Sequence, residues 1–173
     1  QSSVTVPVGV TLTIGPGVVV KFAPNTYLVV RGTLTAAGTA AAPVVFTAYS
    51  DDYGGDTNGD GPSTGSPGDW NTINFNSAQA SVLEHVQVRF GGSGGNGNIY
   101  IYQGEVALRS CEVRDGSASG IYIHSGSPSI EDTTVADNAR HGIYQHSSGS
   151  PQLRGNAVTG NENGIYVQSG TPQ

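Results

Sequence analysis

The tripeptide Gly-Ile-Tyr recurs at a fixed spacing in the C-terminal half of this chain, at Gly120–Tyr122, Gly142–Tyr144 and Gly164–Tyr166. Each copy begins 22 residues after the last, and Asn98–Tyr100 occupies the same place one period earlier. Within these segments isoleucine alternates with polar or aromatic residues, which is the two-residue period of a half-buried strand. A period of 22 residues is too short for a strand–helix–strand unit. The repeat therefore predicts a solenoid of short stacked strands.

Two further families of apolar residues recur at nearly the same spacing, the second family five residues after the first. Their members are Leu108, Ile130 and Leu153, and then Val113, Val135 and Val158. Each coil is therefore expected to hold three short strands, stacked on the next coil at about 4.8 Å. We expect turns at Asn138, Asn156 and Asn161, because asparagine tolerates the left-handed backbone conformation.

The N-terminal part of the chain repeats less tightly. Thr11–Thr13 recurs as Thr33–Thr35, again 22 residues later, and Val18–Phe22 pairs with Val44–Phe46. We therefore expect one all-β domain over residues 1–173, with six full coils and the first strand of a seventh. Its final coil would leave backbone groups unpaired, which natural proteins avoid. This predicts that the domain is a segment of a longer chain, or that its open C-terminal coil self-associates.

The chain resembles bacterial right-handed parallel β-helix repeat proteins, a group related in fold to pectate lyases and carbohydrate-binding β-helices. The resemblance is carried by the Gly-Ile-Tyr strands, by the turn segment Leu153–Asn161, and by Thr11–Phe22 followed by Gly32–Leu34. It covers essentially the whole chain and implies a right-handed parallel β-helix of about six to seven coils. It also implies a secreted or cell-surface protein, but it does not select an activity, because this fold hosts lyases, hydrolases, adhesins and passive stalks.

Charge and composition limit the partners. Asp and Glu number 13 against 7 Lys and Arg, for a net charge of -6. A surface of this sign argues against nucleic acid and anionic lipid as partners. The apolar runs are too short for insertion into a membrane. The single cysteine, Cys111, cannot form an internal disulfide, and we expect it to be a small packed residue.

The repeat is interrupted by an acidic loop at about residues 48–70. It holds five acidic residues and no Lys or Arg. Its core, Asp56–Gly61, reads Asp-Thr-Asn-Gly-Asp-Gly, which resembles the first half of the EF-hand and dockerin calcium loops. It departs from them at the twelfth position, where Pro67 stands in place of a bidentate acid. Trp70, at the end of the loop, is expected to anchor it on the coil.

Oxygen ligands favour Ca²⁺ over zinc. Within the acidic loop the candidate metal ligands are Asp51, Asp52, Asp56, Asn58, Asp60 and Asp69. We expect such an ion to be structural, holding a long excursion against the coil. The alternative is a solvated Gly/Asp/Pro/Ser loop that binds nothing specifically.

Two columns of side chains are expected on the outer surface, because a residue next to an inward isoleucine points outward. The first column is Tyr100, Tyr122, Tyr144 and Tyr166, and the second is Tyr102, His124, His146 and Gln168. Aromatic faces flanked by hydrogen-bonding groups hold sugar rings, and a linear array suits a linear polysaccharide. The alternative is ordinary stacking of strand-favouring tyrosines on neighbouring strands.

A third column alternates in charge, with Arg109, Glu131 and Arg154 one coil apart. It fits an inter-coil charge ladder better than the base of a lyase. The Asp-rich clusters and the Gly-His-Gly element that mark polygalacturonases are missing. We therefore expect a non-catalytic extracellular module, scaffold or adhesin-like, with a calcium loop and a candidate polysaccharide surface. The alternative is a calcium-dependent polysaccharide lyase or glycoside hydrolase.

Overall fold

A computed structural model describes residues 2–77 and 79–170. Over these residues the chain forms 19 strands and no helix, so no helix long and apolar enough to cross a membrane is present there. The strands are β1 Val4–Val6, β2 Thr11–Ile14, β3 Val19–Phe22, β4 Leu28–Val30, β5 Thr33–Ala37, β6 Val44–Ala48, β7 Ile73–Asn76, β8 Ser81–Glu84, β9 Val86–Arg89, β10 Ile99–Gln103, β11 Val106–Arg109, β12 Glu112–Arg114, β13 Ile121–Ile123, β14 Ser129–Glu131, β15 Thr134–Ala136, β16 His141–Gln145, β17 Gln152–Arg154, β18 Ala157–Thr159 and β19 Asn163–Val167.

The strands form three parallel sheets, in which each strand pairs with the strand three positions later in the chain. The first sheet has the order β1-β4-β7-β10-β13-β16-β19. The second runs from β2 to β17 and the third from β3 to β18, each with six strands. Three strands make one coil, so the described chain has six full coils and the first strand of a seventh. The predicted all-β solenoid, its three strands per coil and its number of coils are confirmed.

The repeated aliphatic residues stack in register and form the core. Ile99, Ile121 and Ile143 lie in one column of the first sheet and are at most 1% exposed. Leu108 and Ile130 form the corresponding column of the second sheet, and both are fully buried. Burying one such side chain contributes about 1.5–3 kcal/mol, so the core of each coil depends on a few residues.

The corner asparagines do not take the conformation expected of them. The residues with positive φ are those just before them: Asp137 (φ 55°), Gly155 (φ 63°) and Gly160 (φ 67°). The prediction that Asn138, Asn156 and Asn161 are themselves left-handed is therefore wrong. The reason is that an asparagine side chain can bond the backbone of neighbouring coils, which leaves the preceding residue to make the turn.

Asn138 shows what these side chains do instead. It is 2% exposed, and its Oδ1 accepts from Gly116 N at 3.0 Å. Its Nδ2 donates to Asn161 Oδ1 at 2.9 Å, and Asn98 Nδ2 donates to Asn138 Oδ1 at 3.1 Å. The asparagine ladder, Asn98, Asn138 and Asn161, thus satisfies buried polar groups of successive coils.

Both ends of the solenoid expose apolar residues that face inward elsewhere. On β19, Ile165 is 51% exposed and Val167 is 39% exposed, although they continue the columns of Ile143 and Gln145. On β1, Val4 is 54% exposed. Self-association through the C-terminal coil stays a prediction.

Candidate functional site

The tyrosines of the Gly-Ile-Tyr repeats form one continuous column on the first sheet. Tyr100 pairs with Tyr122, Tyr122 with Tyr144, and Tyr144 with Tyr166, each on the next strand. Their ring centroids are 5.1, 4.7 and 5.5 Å apart, and neighbouring rings meet at 79°, 73° and 58°. These are edge-to-face or tilted contacts, which aromatic rings prefer over a flat sandwich.

A second column lies beside the first. Tyr102 stacks on His124 at 4.9 Å, and His124 stacks on His146 at 5.2 Å. The two columns touch, because the His146 ring is 5.8 Å from Tyr122 and 5.7 Å from Tyr144. The structure therefore brings all seven candidate carbohydrate-binding residues together. We call Tyr100, Tyr102, Tyr122, His124, Tyr144, His146 and Tyr166 the aromatic strip.

The aromatic strip is partly open to solvent. Tyr102 is 41% exposed and Tyr166 is 44% exposed, and the other members are half-buried. Burial, reinforced by neighbouring tyrosines, raises the pKa of Tyr100 and Tyr122, so both hydroxyls keep their protons at neutral pH. Nδ1 of His124 and of His146 is buried and has no hydrogen-bond partner among the described residues.

Sequence reasoning missed His141, which extends the strip. Its ring stacks on Tyr166 at 4.7 Å and lies 5.1 Å from Tyr144. Burial, with Arg140 next in effect, lowers the pKa of His141, which favours the neutral ring at pH 7. His141 directly precedes the repeated glycine, and its slot holds serine or asparagine in the neighbouring copies, so the repeat gave no signal for it.

The acidic loop lies between β6 and β7, and it brings three of the six candidate ligands together. Carboxylate oxygens of Asp52, Asp56 and Asp60 lie within 4.8 Å of one another. Oδ1 of Asp52 and Oδ1 of Asn58 are buried and have no hydrogen-bond partner among the described residues. Unpaired buried oxygens are costly, and a bound cation would satisfy them.

The Asp56 carboxylate is held by the turn that follows it. Its oxygens accept from Gly59 N at 2.6 Å and from Gly61 N at 3.1 Å. The Gly59 amide is the largest cause of a lowered pKa at Asp56, so its negative charge is favoured. Ser63 N donates to Asp52 at 2.7 Å and so holds the second carboxylate of the group in place.

The other two predicted acidic ligands have protein partners of their own. Asp51 is 4% exposed and forms an ion pair with Arg89 of β9, with 2.6 Å between Nη2 and Oδ2. Asp69 accepts from Ser50 Oγ at 2.7 Å and from Ser66 N at 2.8 Å. Both carboxylates tie the ends of the acidic loop, and neither lies in the group of three.

Trp70 anchors the acidic loop as expected. It is fully buried, stacks on Phe22 at 4.3 Å, and donates from Nε1 to Arg89 O at 2.8 Å. An open cavity of about 560 Å³ lies between the loop and the first coil, and Phe22 lines it. Its lining includes Asn58, Asp60 and Asp69, so it borders the acidic group.

The charged column of the second sheet is longer than the sequence indicated. Glu84 pairs with Arg109, Arg109 with Glu131, and Glu131 with Arg154, so the sign alternates over four strands. The Arg109–Glu131 contact is 3.7 Å and half-exposed. Such pairs contribute a few tenths of a kcal/mol to about 1 kcal/mol, which fits a structural ladder.

The geometry as a whole defines a parallel β-solenoid with an aromatic strip on one sheet and an acidic loop between the second and third coils. Residues 70–173 match the family described as right handed beta helix region. The match spans more than half of the chain, and the chain belongs to this family. No curated protein and no solved structure matches the chain.

Proposed function

We propose that this chain is a non-catalytic extracellular β-helix module whose aromatic strip binds polysaccharide. The observation that carries this proposal is the unbroken register of four tyrosines on successive coils, with Tyr166 44% exposed. Rings spaced regularly along one direction suit a polymer with repeating rings. His141, His146 and Gln168 lie beside the tyrosines and add hydrogen-bonding groups. As a scaffold or adhesin-like part of a secreted or bacterial surface protein, the module would hold the polymer without cleaving it.

A structural Ca²⁺ in the acidic loop is the second part of the proposal. Asp52, Asp56 and Asp60 offer clustered carboxylates. Asn58 lies beside them, with its Nδ2 donating to Asp60 Oδ2 at 2.8 Å and its Oδ1 unpartnered among the described residues. Ca²⁺ takes six to eight oxygens at about 2.3–2.6 Å, so water or backbone carbonyls would complete the shell. The ion would hold the loop against the coil.

The enzymatic alternative, a calcium-dependent lyase or a glycoside hydrolase, has weaker support. A lyase needs a free base beside the acidic group. Arg89 and Lys21 both reach the loop, but Arg89 is engaged by Asp51 and Lys21 donates to Gly55 O. Glu131 accepts from Ser129 Oγ at 2.8 Å and faces Arg109. The side chains of Arg89 and Glu131 are therefore both engaged in structural contacts.

Native affinity electrophoresis tests the binding proposal. Gels containing single soluble polysaccharides should retard the chain, and the soluble fraction should contain no unsaturated or new reducing-end products. Tyr122→Ala combined with Tyr144→Ala should abolish retardation. Tyr27→Ala, which removes a 39% exposed tyrosine outside the strip, is the matched control. Retardation that survives the double substitution, or release of products, would contradict the proposal.

A further inference from the structure

The three sheets differ sharply in the charge that their strands carry. The second sheet bears Glu84, Arg109, Glu131 and Arg154, and the third bears Lys21, Arg89, Glu112 and Arg114. The seven strands of the first sheet contain no Asp, Glu, Lys or Arg. The aromatic strip therefore lies on the one sheet whose strands are free of permanent charge.

The shape of the aromatic strip gives it a direction. Three inter-strand steps of about 4.8 Å make the tyrosine column about 14 Å long. The two columns are two residues apart along a strand, which is about 7 Å. The strip is thus about twice as long as it is wide, and its long direction is the solenoid axis.

We infer that the ligand of the aromatic strip is an uncharged polysaccharide that lies along the solenoid axis across four coils. This inference rests on the proposed function and narrows it to one class of polymer. A polyanion gains affinity from Lys and Arg, and none of the seven residues of the strip is either. The charges next to its extension at His141, Arg140 and Glu162, are of opposite sign. With a net charge of -6, the protein as a whole also repels a polyanion.

The polar groups in and beside the aromatic strip suit the hydroxyl groups of sugars. Tyr144 Oη donates to Gln168 Oε1, and Asn163 Nδ2 lies 3.2 Å from His141 Nδ1. Neutral imidazole, amide and phenol groups each donate and accept, as sugar hydroxyls do. The lowered pKa of His141 favours its uncharged ring at pH 7.

The inference is independent of the calcium proposal. The acidic ligands belong to the loop between β6 and β7. The strip belongs to β10, β13, β16 and β19 and to the residues that follow them. Binding should therefore be unchanged by a chelator. It should also be unchanged between about 0.01 M and 1 M salt, where the Debye length falls from about 30 Å to about 3 Å.

The test compares hydroxyethylcellulose and galactomannan with polygalacturonate and alginate, by affinity electrophoresis and titration calorimetry at both salt concentrations. We expect an uncharged polymer to bind with a salt-independent Kd. Tyr100→Ala and Tyr166→Ala, at opposite ends of the column, should each weaken binding about two- to tenfold. Tyr27→Ala should leave it unchanged, and denaturant unfolding checks that each variant is folded.

Three outcomes would overturn the inference, and they are distinguishable. If only polygalacturonate or alginate binds, the inference of an uncharged ligand is contradicted, while the proposed polysaccharide binding still holds. If only one of the two end variants loses affinity, the inferred orientation of the polymer along the solenoid axis is contradicted. No binding of any of the four polymers would remove the proposed function together with the inference.

Discussion

A Cβ atom added to Gly142 would lie 2.4 Å from Val158 Cγ1 and 2.8 Å from Asn161 Nδ2. The glycine of the Gly-Ile-Tyr repeat is therefore a packing requirement. Gly142→Ala should lower the free energy of unfolding by about 1–3 kcal/mol, the usual cost of overpacking. Urea unfolding measures it. Gly164→Ala is the matched control, since its Cβ would meet only Val158, at 3.9 Å. Equal effects of the two substitutions would contradict the packing explanation.

Cys111 is a second residue for which the structure predicts a measurable property, the low reactivity of its thiol. Burial raises the pKa of its thiol to about 11, and its Sγ lies 3.4 Å from Leu83 O. The thiolate is the reactive form, so only about one thiol in a thousand is reactive at pH 8. Labelling by iodoacetamide should therefore be slow in the folded chain, rise with pH towards 11, and become fast in urea. Fast labelling of folded protein at pH 8 would show that the thiol is accessible.

Among the structural elements, the acidic loop gives the clearest prediction, because the proposed Ca²⁺ site lies in it. The melting temperature should rise saturably with Ca²⁺ and not with Mg²⁺, because the ion binds the folded loop and not the unfolded chain. Asp56→Ala and Asp60→Ala should abolish the shift. Glu105→Gln, which removes an exposed charge outside the loop, should keep it. A shift that survives Asp60→Ala would place the ion elsewhere.

The ion pair between Asp51 and Arg89 joins the acidic loop to β9, and its contribution to stability can be measured. Both side chains are largely buried, at 6% and 16% exposure. Removing one partner of a buried pair costs about 3–5 kcal/mol, because the other charge is left without compensation. Asp51→Ala and Arg89→Ala should each destabilise the fold by about this amount, and the double variant by less than the sum. Additive losses in urea unfolding would mean that the pair is not coupled.

Some of these features could be predicted from the sequence and others could not. The tyrosine column follows from the 22-residue spacing, because a residue beside an inward isoleucine must point outward. The partner of Asp51 does not follow, since Arg89 is 38 residues away and the path of an irregular loop leaves no periodic signal. The asparagine ladder does not follow either, because its bonds join residues 40 and 23 positions apart, whereas the turn preference of asparagine is a local property.

At the scale of the whole molecule, the first and last strands of the described solenoid, β1 and β19, each expose apolar side chains. Ile165 and Val167 expose apolar surface on β19, and its outer edge has no strand beside it among the described residues. We expect the isolated chain to associate with rising concentration in sedimentation velocity. Val167→Lys should reduce this association because it places a charge at the open core. Gln168→Lys adds the same charge on the outer face and should have less effect. A chain that stays monomeric at high concentration would contradict this prediction.

The register of the repeat sets the length of the tyrosine column by the number of repeat units. Each 22-residue step along the repeat adds one tyrosine to the column. Duplicating or removing a single unit would thus lengthen or shorten the column by a fixed step of about 4.8 Å. Under the proposed function, duplication of one gene segment would lengthen the polymer-binding surface by one such step.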